Sequence, residues 1–216
     1  MGGVVDLFWS FRSPYSYLAT PGARRLEQDF DVELRLRPVL PLAVRDPAFF
    51  SPDNLKRARY IALDWLRRAE MLGMAHAWPS PDPIVQDLQT YRIAPEQPHI
   101  HRLTQLGVEA ERQGAGIEFA YEVSRLIFGG TRDWHLGDHL AQAARCAGLD
   151  LARLDEAIAH DGGASHRAEV EANQAALAAA GHWGVPTFVF EGEPFFGEDR
   201  IDTLRWRLGR RGLQRG

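Results

Sequence analysis

Val4 to Trp9 form a short, almost unbroken apolar run, the pattern of a strand covered on both faces. Ser13 and Pro14 follow it, a preferred N-cap and a preferred first helical residue, and predict a helix to about Phe30 that bends near Pro21. In VELRLRP the period changes to two: Val32, Leu34 and Leu36 alternate with Glu33, Arg35 and Arg37, which predicts a second, half-buried strand.

From about Leu40 the period becomes helical and stays so. Leu55, Ala58, Ala62, Trp65, Ala69 and Leu72 recur at threes and fours, as do Ile100, Leu103 and Leu106, then Phe119, Val123 and Leu126, then Leu136, Leu140 and Ala144. AHAWPSPDPIVQD, with three prolines in six residues, interrupts this stretch as a long loop of the kind that either covers a site or tolerates disorder. After a helix ending near Gly181, two short apolar runs flank Glu191-Gly192, a β-hairpin signal, and a last helix begins near Asp199. The predicted order is strand, helix, strand, helical insertion, helix, hairpin, helix. That is an α/β core over 1–40 and 162–216 with an all-helical insertion over 41–161.

Composition narrows the chemistry. A net charge of −4 does not suit a protein that binds nucleic acid through its phosphates, so no nucleic-acid partner is expected. The single cysteine, Cys146, cannot form an intramolecular disulfide or a two-thiol redox centre, and its place in LAQAARCAGLD suggests a buried, inert thiol. The N-terminus has no secretory pattern, and no apolar run is long enough to span a membrane, so a cytoplasmic protein with no membrane partner is expected. His135 and His139, and His99 and His101, have spacings that allow metal ligation. Neither pair has a carboxylate or cysteine to complete a recognisable motif, so no metal is expected.

Two segments carry a resemblance. The first strand followed by SPYSYLA, with GVPTFV and FFGEDR near the C-terminus, is similar to the DsbA-like thioredoxin-fold group that contains 2-hydroxychromene-2-carboxylate isomerases and kappa-class glutathione transferases. It implies a thioredoxin-like fold. Where the oxidoreductases of this architecture carry Cys-x-x-Cys, this chain reads Ser13, Pro14, Tyr15, Ser16. A helix N-terminus offers unpaired N–H groups and partial positive charge, and so can stabilise a thiolate brought in by a ligand as readily as one of its own. The resemblance implies that this ligand is glutathione, with Ser13 as the catalytic hydroxyl on its sulfur and Pro186 in the cis state. It also implies that Val185 offers backbone groups to the cysteinyl unit and that Glu198 and Asp199 lie at the γ-glutamyl end. The resemblance places Asn54 and Arg57 near the glycyl carboxylate; Arg12, if it points inward, Tyr15, and His182 as an acid or base are the candidates to face the substrate.

RYIALDWLRRAEMLG resembles the family's second helix through Tyr60, Asp64 and Arg67, although Asp64 and Arg67 are most simply an i,i+3 ion pair. The chain also departs from the pattern. Ser10 replaces a common aspartate, Arg12 replaces a small or apolar residue, and the segment between Gly73 and Gly129 matches poorly. The resemblance implies a glutathione-dependent isomerase of a small aromatic or acidic substrate, working as a homodimer. The alternatives are a kappa-like glutathione transferase and a thioredoxin-like binding protein without chemistry. A disulfide oxidoreductase ranks last, because two serines cannot exchange thiols.

Overall fold

The computed structural model describes residues 2–47, 55–87, 89–90 and 92–216. Its centre is a four-stranded sheet of order β2-β1-β3-β4, built from β1 (Gly3–Trp9), β2 (Val32–Pro38), β3 (Thr187–Phe190) and β4 (Glu193–Phe196). β1 runs parallel to β2, with Leu7 opposite Leu36, and antiparallel to β3, with Leu7 opposite Phe188. Its central place explains the unbroken apolar run, since Val5, Leu7, Phe8 and Trp9 are all buried. β2 keeps its alternation, burying Val32, Leu34, Leu36 and Pro38. The hairpin turns at Glu191 and Gly192, whose φ values of 50° and 79° are those a two-residue primed turn requires.

Helix α1 (Pro14–Asp29) connects β1 to β2. Pro21 lies inside it and cannot donate to the carbonyl of Tyr17. The Thr20 hydroxyl donates to that carbonyl instead, at 2.7 Å, so the missing bond is replaced from one residue away. After β2 come α2 (Leu42–Arg45), α3 (Leu55–Met71), α4 (Ile100–Arg112), α5 (Gly116–Phe128), α6 (His139–Cys146), α7 (Leu151–Ala159) and α8 (Ala164–Ala179). A 3-10 turn (Glu198–Arg200) then leads into α9 (Ile201–Arg210). This is the predicted order, and it is a thioredoxin-like fold with the helices inserted after the second strand.

One apolar core joins sheet and helices, running from Val5 and Leu36 through Phe119 and Val123 to Leu140 and Leu154. α4 and α5 pack against β2, and α5 also against α1, where Arg24 pairs with Glu118 at 2.8 Å. Helix α4 comes so close to the end of β2 that a Cβ at Gly107 would stand 3.2 Å from the Pro38 ring, and 2.6 Å from the Phe11 ring just beyond β1.

The thiol of Cys146 is exposed, contrary to the expectation of a buried one. Leu140, Ala143, Ala144 and Ala147 form the buried stripe at threes and fours, and Cys146, two residues after Ala144, turns away from it. Leu136 precedes α6 and is exposed, so it is not part of that stripe.

Candidate functional site

The strand-to-helix corner places Ser13 where the sequence predicts. It caps α1: its Oγ accepts the Ser16 N–H at 3.1 Å, and its backbone has extended geometry. The same hydroxyl donates to the Val185 carbonyl at 3.2 Å, a contact between residues far apart in sequence. The Val185–Pro186 bond is cis, as the resemblance implies. Pro14 has no N–H, and Tyr17 donates to the Ser13 carbonyl. This leaves the Tyr15 N–H as a first-turn amide with no partner among the described residues, and the Val185 N–H likewise has none. The Ser13 hydroxyl and the Val185 carbonyl therefore meet at the N-terminus of α1, whose Tyr15 N–H is unpaired among the described residues. Ser16 lies beneath them, fully buried, with its hydroxyl unpaired.

The flanking residues divide by what already holds them. Arg12 forks onto Asp82, with Nε at 3.2 Å from Oδ1 and Nη2 at 3.0 Å from Oδ2, and Asp82 also accepts the Ile84 N–H at 3.0 Å. Its charge is therefore met by a carboxylate of the proline-rich loop. That loop is anchored along its length: Tyr17 donates to the Ala75 carbonyl, Ala77 to that of Phe128, and Trp134 Nε1 to that of Pro81, each at 2.7 Å.

The Tyr15 hydroxyl donates to Asp64 Oδ2 at 2.7 Å. Burial, and then that bond, pushes the Tyr15 hydroxyl well above the usual phenol range. Asp64 also receives Arg67 Nε at 2.8 Å. Burial alone would raise its pKa, but the bonds from Tyr15 and Arg67 outweigh burial and hold it below the usual carboxylate range. The i,i+3 pair read from the sequence is thus half of a link between α3 and the active helix.

A second link joins α3 to the 3-10 turn. Arg68 forks onto Glu198 at 2.6 and 3.0 Å, and the Glu198 side chain is only 8% exposed. Glu198 is therefore engaged within the chain. Asp199, exposed, pairs with Arg200 at 3.1 Å and does not cap α9, because the 3-10 turn intervenes. Gly197 precedes it with φ 108°, and a Cβ there would meet Asp199 Oδ1 at 2.5 Å. Arg57 is exposed near the start of α3, and Asn54 lies outside the described residues.

His182 sits beside the cis-proline segment. Its Nδ1 accepts the Gly184 N–H at 2.9 Å, which places the proton of the neutral ring on Nε2. Burial pushes its pKa below the ordinary histidine value. The ring stacks on Phe196 at 4.1 Å and on Trp183 at 5.0 Å, forming an aromatic ledge in which Trp183 is 51% and Phe196 39% exposed. Sequence reasoning missed this ledge, because its three rings come from two separate segments. It also missed Asp82, and nothing local marks that residue as the partner of Arg12. His99 and His135 do meet, with ring centroids 4.7 Å apart. Among the described residues no group of three histidine, cysteine or acidic side chains could hold a metal ion.

A thioredoxin-like fold whose helix N-terminus faces a cis-proline, with hydroxyls in place of thiols, defines the class of this protein. The profile of the DSBA-like thioredoxin domain matches residues 4–209, and the chain belongs to that family. Among solved structures it is similar to a 2-hydroxychromene-2-carboxylate isomerase, with TM-score 0.69 and 22% identity over 96% of this chain and 95% of that one. It is also similar to a probable DsbA oxidoreductase from Streptomyces coelicolor, with TM-score 0.62 and 18% identity over 96% and 89% of the two chains. A third similar structure is the cytosolic disulfide reductase DsbM from Pseudomonas aeruginosa with GSH, with TM-score 0.56 and 17% identity over 95% and 99%. A search of curated proteins found no significant match. Among the described residues no helix is long and apolar enough to cross a membrane.

Proposed function

We propose that the protein is a cytoplasmic, glutathione-dependent isomerase of a small aromatic carboxylate, with Ser13 stabilising the glutathione thiolate. One observation carries this reading: the Ser13 hydroxyl sits between the N-terminus of α1 and the Val185 carbonyl, and the chain has no thiol of its own there. The likeness to a 2-hydroxychromene-2-carboxylate isomerase supports the isomerase assignment, and a similar structure determined with GSH supports the ligand.

The residues present fit a cysteinyl unit. The unpaired Val185 N–H and its carbonyl match the complementary groups of a peptide-like ligand, as the edge of a strand would. An incoming amide N–H that takes the Val185 carbonyl releases the Ser13 hydroxyl, which then turns its proton toward the sulfur. The Tyr15 N–H and the helix dipole add to the same field, worth about 0.3–1 kcal/mol at an exposed terminus and more when partly buried. When bound, glutathione supplies a thiolate that adds to a conjugated carbonyl compound and is later expelled, so that rotation about the former double bond isomerises it and the glutathione is regenerated. The chain's part is to hold the thiol ionised, fix its direction, and present the acceptor from the ledge side.

Calorimetric titration with glutathione, followed by mass balance on glutathione during turnover, tests the reading. Submillimolar binding with glutathione conserved is the expected result. Glutathione consumed in proportion to product would replace the isomerase with a kappa-like transferase. No binding below about a millimolar would leave a thioredoxin-like binding protein and refute both enzymes.

A further inference from the structure

Arg45, at the C-terminal end of α2, is held differently from the other arginines. Its Nε donates to the Leu40 carbonyl at 2.7 Å and its Nη2 to the Trp183 carbonyl at 2.9 Å. No carboxylate among the described residues lies within 4 Å of it, whereas every other described arginine is either exposed or held by a carboxylate. Burial pushes its pKa down, and the neighbouring Asp46 offsets only part of that. A half-buried guanidinium bonded to two neutral carbonyls keeps its full charge and, among the described residues, several N–H donors without a partner, an arrangement that costs desolvation with no counter-ion there to offset it.

Its position gives the charge a use. Arg45 binds the carbonyl of Trp183, and Ser13 binds that of Val185, two residues further on. Two residues of extended chain span at most about 7 Å, so the cation and the sulfur position lie along one short segment of backbone. The rings of His182, Trp183 and Phe196, packed on one another, form the half-exposed ledge on this same segment. Arg12, the cation the sequence pointed to, is already neutralised by Asp82.

We infer that Arg45 is the specificity-determining residue for the acceptor substrate, binding its carboxylate while the aromatic ring of that substrate lies on Trp183 and Phe196. This rests on the proposed function for the existence of an acceptor substrate. It adds the residue that reads its charge and moves that role from Arg12 to Arg45. A planar aromatic acid fits both halves of the feature, because the ledge offers π-faces and the guanidinium offers a fork to a carboxylate.

The test uses 2-naphthoate and its neutral isostere 2-naphthamide, titrated into the full chain with and without glutathione, for wild type, Arg45→Gln and Arg45→Lys. Wild type should prefer the carboxylate by about tenfold or more, the size expected of a charge-assisted hydrogen bond. Arg45→Gln should lose that preference while binding the amide and glutathione within about twofold of wild type, and Arg45→Lys should keep part of it. Lysine retention also guards against an Arg45→Gln protein that fails to fold. Equal affinity of wild type for acid and amide overturns the inference. So does a preference that survives Arg45→Gln but disappears in Arg12→Gln, or a parallel loss of glutathione affinity in Arg45→Gln, which would put the glutathione carboxylate on Arg45. If wild type binds no glutathione but keeps an Arg45-dependent carboxylate preference, the inference stands and the thiol reading fails.

Discussion

Ser13 carries two separable roles, and replacing it with alanine and with aspartate should split them. Alanine removes the cap on the Ser16 N–H, worth about 1 kcal/mol, and the hydroxyl bond to the Val185 carbonyl, worth about another 1 kcal/mol. The sum of about 2 kcal/mol should lower the melting temperature by roughly 4–8 °C in a chain of this size. Aspartate caps as well as serine and has a favourable charge at a helix N-terminus, but it cannot donate to Val185, so its stability should fall between those of wild type and alanine. The thiol should rank differently. Bound glutathione loses a donor in Ser13→Ala, which should raise its thiol pKa by about one unit, and it meets a fixed negative charge in Ser13→Asp, which should raise it further. Stability is read from urea denaturation at neutral pH, and the thiol from the ultraviolet thiolate band of the complex against pH. The predicted orders are wild type, Asp, Ala for falling stability and wild type, Ala, Asp for rising thiol pKa. If the thiol pKa is the same in all three proteins, Ser13 is a helix cap and nothing more.

Three further outcomes follow from contacts elsewhere. Arg68→Met leaves Glu198 unpaired at 8% exposure and should cost about 2–4 kcal/mol in urea denaturation, somewhat less than a fully buried pair because Arg68 itself is 26% exposed; a cost under about half a kcal/mol would mean the link to the 3-10 turn is slack. Glu111 has its carboxyl pushed up to about 7, chiefly by burial, against an unfolded value of 4.5. The native state therefore binds the extra proton between those values, so stability should fall as pH rises from about 4.5 to 7, by up to about 3 kcal/mol; Glu111→Gln should remove the slope and be more stable than wild type at pH 8, and a wild-type profile that is flat over this range would contradict the burial argument. Asp82→Asn unclasps Arg12, and amide exchange should quicken across 75–84 with no change at α8; unchanged exchange would show that the anchors at Ala77 and Pro81 hold the loop unaided.

Much of this was legible along the chain because it is periodic or local. β1 reads as apolar because it is central, β2 alternates because one face is covered, and Glu191-Gly192 marks its turn through a backbone requirement. Ser13 was legible locally as a cap before proline, and the Val185-Pro186 pair through the family resemblance; the fold brings the Ser13 hydroxyl within 3.2 Å of the Val185 carbonyl. What the sequence hid depends on partners distant along the chain. Arg12 reads as a free cation until the loop 70 residues away supplies Asp82. Glu198 reads as part of the γ-glutamyl end until α3 supplies Arg68. Cys146 reads as buried because its neighbours are apolar, yet one helical step separates it from their stripe.

The two arginines beside the site show why pairing, and not presence, decides its electrostatics. A guanidinium forked onto a carboxylate contributes a dipole that falls off steeply with distance, so Arg12 and Asp82 together impose little field at the N-terminus of α1. Arg45, bonded only to carbonyl oxygens among the described residues, retains a net charge in a partly desolvated place, where screening is weaker than at the surface. An anion approaching the ledge is therefore drawn toward the Trp183 end, while the N-terminus of α1 draws a thiolate toward Ser13. The two attractions lie along one strand of backbone but do not coincide. On the proposed function, that separation would let two negative groups occupy the site side by side, one bearing sulfur and one bearing a carboxylate, without competing for a single cation.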